Sequence, residues 1–271
     1  MTHTTRRLAW LTDIHLEMLT DAEFDAFMDD IRATHPTDVM ITGDIGTGIS
    51  LCGYLTRIES ALNIPIYFVL GNHDFYRSNF DTVHAEVREL HSTHDNLVWM
   101  PEAGVVELNA ATALVGHGGW SDGGYGDFMA SPTLLNDHVQ IMSLVTSDKR
   151  ERLEKVALRG RQSADMLKPH LMSAVRDYPH TYVLTHSPPF IEACWYMGKT
   201  PALTDEYLPH FTCKAIGDLL LDVADTHPQH KITVLCGHTH GGGEAQIRPN
   251  LHVITGPAEY GLPVVQQVFA L

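Results

Sequence analysis

Cysteine is scarce in this 271-residue chain, and its four copies (Cys52, Cys194, Cys213 and Cys236) show no CxxC spacing. Their placement argues against a thiolate zinc site or a disulfide framework and suggests free thiols in a reducing compartment. Long apolar runs are missing as well. No stretch reaches the ~18 apolar residues that a membrane-spanning helix needs, and the apolar start of MTHTTRRLAWLTD is broken at Thr12 and Asp13, too early for a signal peptide. The expectation is a cytoplasmic protein with no membrane partner. Basic residues are few: 18 Lys and Arg stand against 33 Asp and Glu, for a formal charge of −15. Clustered Lys and Arg are what hold a nucleic-acid backbone, so this balance disfavours DNA or RNA as partner. Bound divalent metals would reverse that logic locally, whatever the global charge.

Histidine, by contrast, is abundant, with 18 copies equalling Lys and Arg combined. Neutral imidazole is the commonest transition-metal ligand, so the position of these residues matters. Short β-branched runs bounded by Gly, Pro or Asp read as buried strands at 8–12, 38–42, 64–70, 113–115, 181–185, 232–236 and 251–255. Helical patterns fall between the early ones, at 21–34 with Thr20 as N-cap, 51–62 and 80–91, and a later one covers 212–226. This alternation predicts an α/β layered fold. Two segments break it: a glycine-rich stretch followed by a mostly helical one, about 116–176, and an irregular one at 187–211. Both read as insertions into one domain covering 1–271. The helix around 147–176, with mixed charges on its faces, reads as a solvated cap or part of a subunit interface.

Polar residues gather where the strands end. AWLTDIH closes on Asp13 and His15, VMITGDIG on Asp44, YFVLGNHD on Asn72, His73 and Asp74, YVLTHSPP on His186, and TVLCGHTH on His238 and His240. Five strands thus deliver these groups to one edge, where open α/β sheets bind ligands. A mixed set of carboxylate, amide and imidazole suits Mn, Fe, Zn or Ni better than Ca or Mg. Seven ligands (Asp13, His15, Asp44, Asn72, His186, His238 and His240) are too many for one tetrahedral ion but fit two ions sharing a carboxylate, the arrangement used to cleave phosphoesters. A lone DxH or GD would ordinarily be a turn or a helix cap. The ordered set at five strand ends is what carries the reading.

The order DxH, GD, GNHD, a later histidine and GHTH resembles the calcineurin-like metallophosphoesterase superfamily, over Asp13 to His240. The resemblance implies a four-layer α/β/β/α sandwich with a dimetal site at the C-terminal ends of the strands. It places Asp13, His15 and His240 on one metal, Asn72, His186 and His238 on the other, and Asp44 between them. His73 becomes a catalytic residue oriented by Asp74. The chain departs from the protein phosphatase pattern GDxxDRG, having Thr47 and Gly48 at the positions of Asp and Arg. It also departs from the purple acid phosphatase pattern, with His15 and Thr47 in place of Gly and Tyr. It is similar instead to the bacterial phosphodiesterase-like branch.

The resulting expectation is a phosphodiesterase or phosphatase for small organic phosphates such as cyclic nucleotides, using water activated at the metal pair and His73 as proton donor. A nuclease is the alternative, and a non-catalytic scaffold on the same fold a third reading. His117 and Trp120, in the glycine-rich loop, are the candidates for substrate binding. Phe190, Trp195 and Tyr196 are expected to pack the second insertion rather than stack on a substrate.

Overall fold

The computed structural model describes residues 5–271. Through the first hundred residues strands and helices alternate: β1 (Arg7–Leu11), α1 (Asp21–Ala33), β2 (Asp38–Thr42), α2 (Leu51–Leu62), β3 (Ile66–Val69), α3 (Phe80–Thr93) and β4 (Leu97–Trp99). The one-turn α4 (Met100–Ala103) leads into the antiparallel pair β5 (Val106–Asn109) and β6 (Thr112–Gly116). After the glycine-rich segment come the one-turn α5 (Asp137–Gln140), the 29-residue α6 (Lys149–Asp177) and β7 (His180–Leu184). The short α7 (Leu208–Phe211) and α8 (Lys214–Thr226) precede β8 (Lys231–Cys236), β9 (Gly243–Arg248), β10 (Leu251–Thr255) and β11 (Gln267–Ala270).

These strands form two sheets, ordered β11-β1-β2-β3-β4 and β5-β6-β7-β8-β10-β9. Strand periodicity builds the layers. Successive side chains point to opposite faces, so Ala9 and Leu11, Val39 and Ile41, Ile66 and Phe68 meet α1, α2 and α3. Their alternates Leu8, Trp10, Met40, Tyr67 and Val69 face the second sheet, against Leu114, Tyr182, Leu184 and Leu235. On the far side, Val183, Ile232 and Val234 pack under Leu167, Leu171, Leu220 and Val223 of α6 and α8. The result is a four-layer α/β/β/α sandwich. Because the inner strands are buried on both faces, they read as unbroken apolar runs. At α1, Thr20 closes a reciprocal capping box: its hydroxyl accepts the Glu23 N–H, and the Glu23 carboxylate accepts the Thr20 N–H at 2.8 Å. Among the described residues no helix is long and apolar enough to cross a membrane.

The reading of the 147–176 helix as a solvated cap needs correction. Val156, Gly160, Ser163, Leu167, Leu171 and Ala174 form a buried stripe with spacings of three and four, the signature of a core-facing helix. The charges that suggested solvation lie on its other side. The part of the first insertion before α6 carries only a one-turn helix and a 3-10 turn.

Candidate metal centre

Pairing between β1 and β2 continues past the strand ends, where Asp13 N–H donates to Gly43 O and His15 N–H to Asp44 O. This ties the first two motifs together. Asp13, His15, Asp44, His238 and His240 all have left-handed backbone, with φ between 39° and 72°. They are five of the nine described non-glycine residues with positive φ. Each such position costs on the order of 1–3 kcal/mol, and that cost concentrates where function demands it. The neighbouring glycines are set by contact: a Cβ on Gly237 would run into Asp13 Oδ2, and one on Gly71 into Asp44 Oδ1.

Two nests of ligand atoms result. In the first, His15 Nε2 and His240 Nε2 are 3.2 Å apart. Asp13 Oδ1 lies 3.6 Å from His240 Nε2, and Asp44 Oδ2 lies 3.8 Å from His15 Nε2. The ligand atoms of Asp13, His15, Asp44 and His240 all fall within 4.8 Å of one another. In the second nest, Asn72 Oδ1 is 3.0 Å from both His186 Nε2 and His238 Nδ1. Asp44 stands between the nests, its other oxygen 3.5 Å from His186 Nε2.

Hydrogen bonds behind the second nest show what it can hold. His186 Nδ1 faces Thr42 O at 2.9 Å and His238 Nε2 faces His210 O at 3.3 Å. A carbonyl only accepts, so each ring carries its proton there and turns a bare lone pair to the nest. Asn72 Nδ2 donates to Asp137 Oδ1 at 2.8 Å, which turns the Asn72 carbonyl oxygen the same way. Tyr76 OH donates to the same carboxylate oxygen at 2.7 Å. Three lone pairs thus converge with no proton between them, an arrangement that a cation fits.

The carboxylates have the same need. Burial and the nearby Asp13 charge push the Asp44 carboxyl well above its ordinary range. Burial acts to raise Asp13 too, but the imidazoles of His186, His240 and His15 bring it below. A cation beside both would let both ionise.

His73 lies on the open cleft beside these nests, a space of about 290 Å³ that it lines with Tyr76, Tyr196, Phe211 and Tyr260. Its ring stacks on Tyr76 at 4.1 Å and meets His15 edge-on at 4.6 Å. Burial and four neighbouring imidazoles push it down to about 2. Asp74 does not orient it, a correction to the expectation. The Asp74 carboxylate is fully buried and accepts four backbone N–H groups, from Asp44, Ile45, Gly46 and Gly71, at 2.8–3.0 Å. It is a brace between the second and third motifs.

His117 and Trp120 also need correction as substrate contacts, since neither lines the open cleft. Trp120 is buried behind it, bordering a small void with Asn72, His186 and His238, while both residues face a separate cavity. Of the three aromatics in the second insertion, Phe190 is core and Tyr196 reaches the cleft. Sequence reasoning missed Asp137, Tyr76 and Tyr260. Tyr260 follows the end of β10 and sits 4.6 Å from His15 and 4.7 Å from His240. Extending the strand-end rule past Thr255 would have found it.

The sequence model for calcineurin-like phosphoesterases matches residues 6–242. The chain belongs to that family. It is a family of hydrolytic metallophosphoesterases, consistent with nests that fit cations at the sheet ends. Among solved structures, phosphopantetheinyl hydrolase from Mycobacterium tuberculosis matches with a TM-score of 0.66 at 13% identity, covering 94% of this chain and 90% of that one. A dimetal phosphatase from Danio rerio matches with a TM-score of 0.55 at 15% identity, over 97% and 88%. A Thermus thermophilus protein gives 0.54 at 12% identity, over 99% of both chains. At such identities these structures share the family fold. Among curated proteins no sequence match is found.

Proposed function

We propose that this calcineurin-like phosphoesterase is a dimetal hydrolase of small organic phosphodiesters. The observation that carries the reading is the convergence of Asn72 Oδ1, His186 Nε2 and His238 Nδ1, three bare lone pairs beside the Asp13, His15, Asp44 and His240 nest. Asp13, His15 and His240 would hold one ion, Asn72, His186 and His238 the other, and Asp44 both. Mn, Fe, Zn or Ni suit such donors. When bound, the ions would supply Lewis acidity and a nucleophile drawn from water.

The remaining work falls to the chain itself. The open cleft is walled by Tyr76, Tyr196, Phe211 and Tyr260 and has no Lys or Arg among its lining residues. Aromatic walls favour an aryl or base-bearing ester, and the lack of cationic side chains favours a singly charged diester over a dianionic monoester. It also weighs against a nuclease, which would track a polyanion. His73, neutral in the free protein, offers an N–H to the phosphate and the leaving oxygen, and would relay to that oxygen the proton released by the water consumed in hydrolysis. Cyclic nucleotides are the first substrates to test. Likeness to a phosphopantetheinyl hydrolase adds phosphopantetheine esters.

The test is turnover of bis(4-nitrophenyl) phosphate against 4-nitrophenyl phosphate, with each metal added back. Diester hydrolysis should dominate, and His73→Ala should retain full metal content while turnover falls by ~10²–10⁴. No turnover of either ester with any metal would sink the proposal.

A further inference from the structure

On the other side of Leu70 and Trp120 from the metal centre lies a cavity of about 380 Å³, within the range of small-molecule sites. It shares no lining residue with the open cleft. Its aromatic walls come from three parts of the chain: Phe75 and Phe80, Trp99, and Trp120. Phe80 meets Trp120 edge to face at 5.0 Å and packs against Phe75 at a tilt, with ring centroids 4.8 Å apart.

Around these walls stand donors with nothing to donate to. The Arg159 guanidinium lies 3.9 Å from the centroid of Phe80 and has no hydrogen-bond or ion-pair partner among the described residues; Asp81 acts on it only from beyond ion-pair distance. Trp99 adds only its ring to the wall, since its Nε1 is covered by neighbouring atoms. His117 Nδ1 accepts the Gly119 N–H at 3.1 Å, so the ring proton sits on Nε2, which has no partner among the described residues. At the rim, Arg88 is already paired with Glu102 at 2.8 Å, and Asp165 adds one negative charge. Unused donors in an aromatic cage call for an acceptor-rich, negatively charged head on a flat apolar body. Asp165 limits that head to a single charge.

We propose that this cavity is a binding site for a small organic monoanion with an aromatic body, its head group on Arg159. The inference is independent of the metal reading. Naphthalene-2-carboxylate, which contains no phosphoester, is therefore a suitable probe against the full chain, with naphthalene-2-carboxamide as its neutral counterpart. Calorimetric titration should show saturable one-to-one binding of the carboxylate, at least tenfold tighter than the amide. Arg159→Gln should remove that tenfold preference and leave the amide unchanged, whereas Tyr260→Ala, in the metal cleft, should leave the carboxylate affinity intact. The comparison of the two probes needs no variant, so a poorly folding Arg159→Gln protein would not blunt the test. Absence of saturable carboxylate binding, equal affinity for both probes, or loss of binding in Tyr260→Ala would overturn the proposal.

Discussion

Asp137 shows how much of the centre depends on residues that would touch no metal. Its carboxylate takes the Asn72 amide N–H at 2.8 Å and the Tyr76 hydroxyl at 2.7 Å, and so decides which face of the amide is turned to His186 and His238. Removing it frees the amide to flip and present N–H groups to two lone pairs. Asp137→Ala should accordingly weaken one of the two metal sites about 10–100-fold and spare the other. Metal titration followed by elemental analysis would show occupancy falling from two toward one, whereas unchanged occupancy would mean Asn72 is held by other contacts. The candidate ligands were legible in the sequence because each follows an apolar run directly. Asp137 was not, because it sits in a one-turn helix inside an irregular segment, with no periodic neighbours to mark its place. Asp74 was legible as a polar residue at a strand end, but not its role, because its partners are backbone amides, which a sequence does not display.

At the scale of elements, seven strands were readable and four were not, and burial separates them. The seven are the inner strands β1, β2, β3, β6, β7, β8 and β10. The four missed ones, β4, β5, β9 and β11, are the edges of the two sheets. Edge strands are short or half exposed, as in VELN and QVFA, so the apolar run that marks an inner strand is diluted. The long helix was misjudged for a related reason: its buried stripe is built partly from Gly160, Ser163 and Ala174 and carries little hydrophobic signal. Gly160 has a steric role, since a Cβ there would run into Asp122, whose carboxylate accepts the Ala215 N–H at 2.8 Å and the Lys214 N–H at 3.2 Å at the start of α8. Alanine is the better helix former by about 1 kcal/mol, yet overpacking typically costs about 1–3 kcal/mol. Gly160→Ala should therefore lower the melting temperature. A rise would mean that α6 and α8 can move apart freely.

For the molecule as a whole, the histidines among the described residues include imidazoles at the candidate metal centre, others such as His84 and His117 that are held neutral by burial, and exposed ones such as His35. Burial pushes His84 from 6.5 down to about 4 and His117 to about 3. In the unfolded chain both take up protons as the pH falls through about 6.5, while the folded protein leaves them neutral until much lower pH. Protons thus favour unfolding in that window, by up to about 1.4 kcal/mol per pH unit for each residue. Chemical denaturation between pH 7 and 4 should show stability falling steadily, and His84→Gln should flatten the slope. A pH-independent midpoint would show that these rings are already protonated or already exposed in the folded state.

The central claim is that five strand ends from two sheets converge to hold a pair of cations. Anomalous diffraction from crystals of the manganese-loaded protein tests it most directly. Two peaks are predicted, about 3.5–4 Å apart, one against Asn72, His186 and His238, the other against Asp13, His15 and His240, with Asp44 contacting both. A single peak, or none at these seven side chains under saturating metal, would contradict the account.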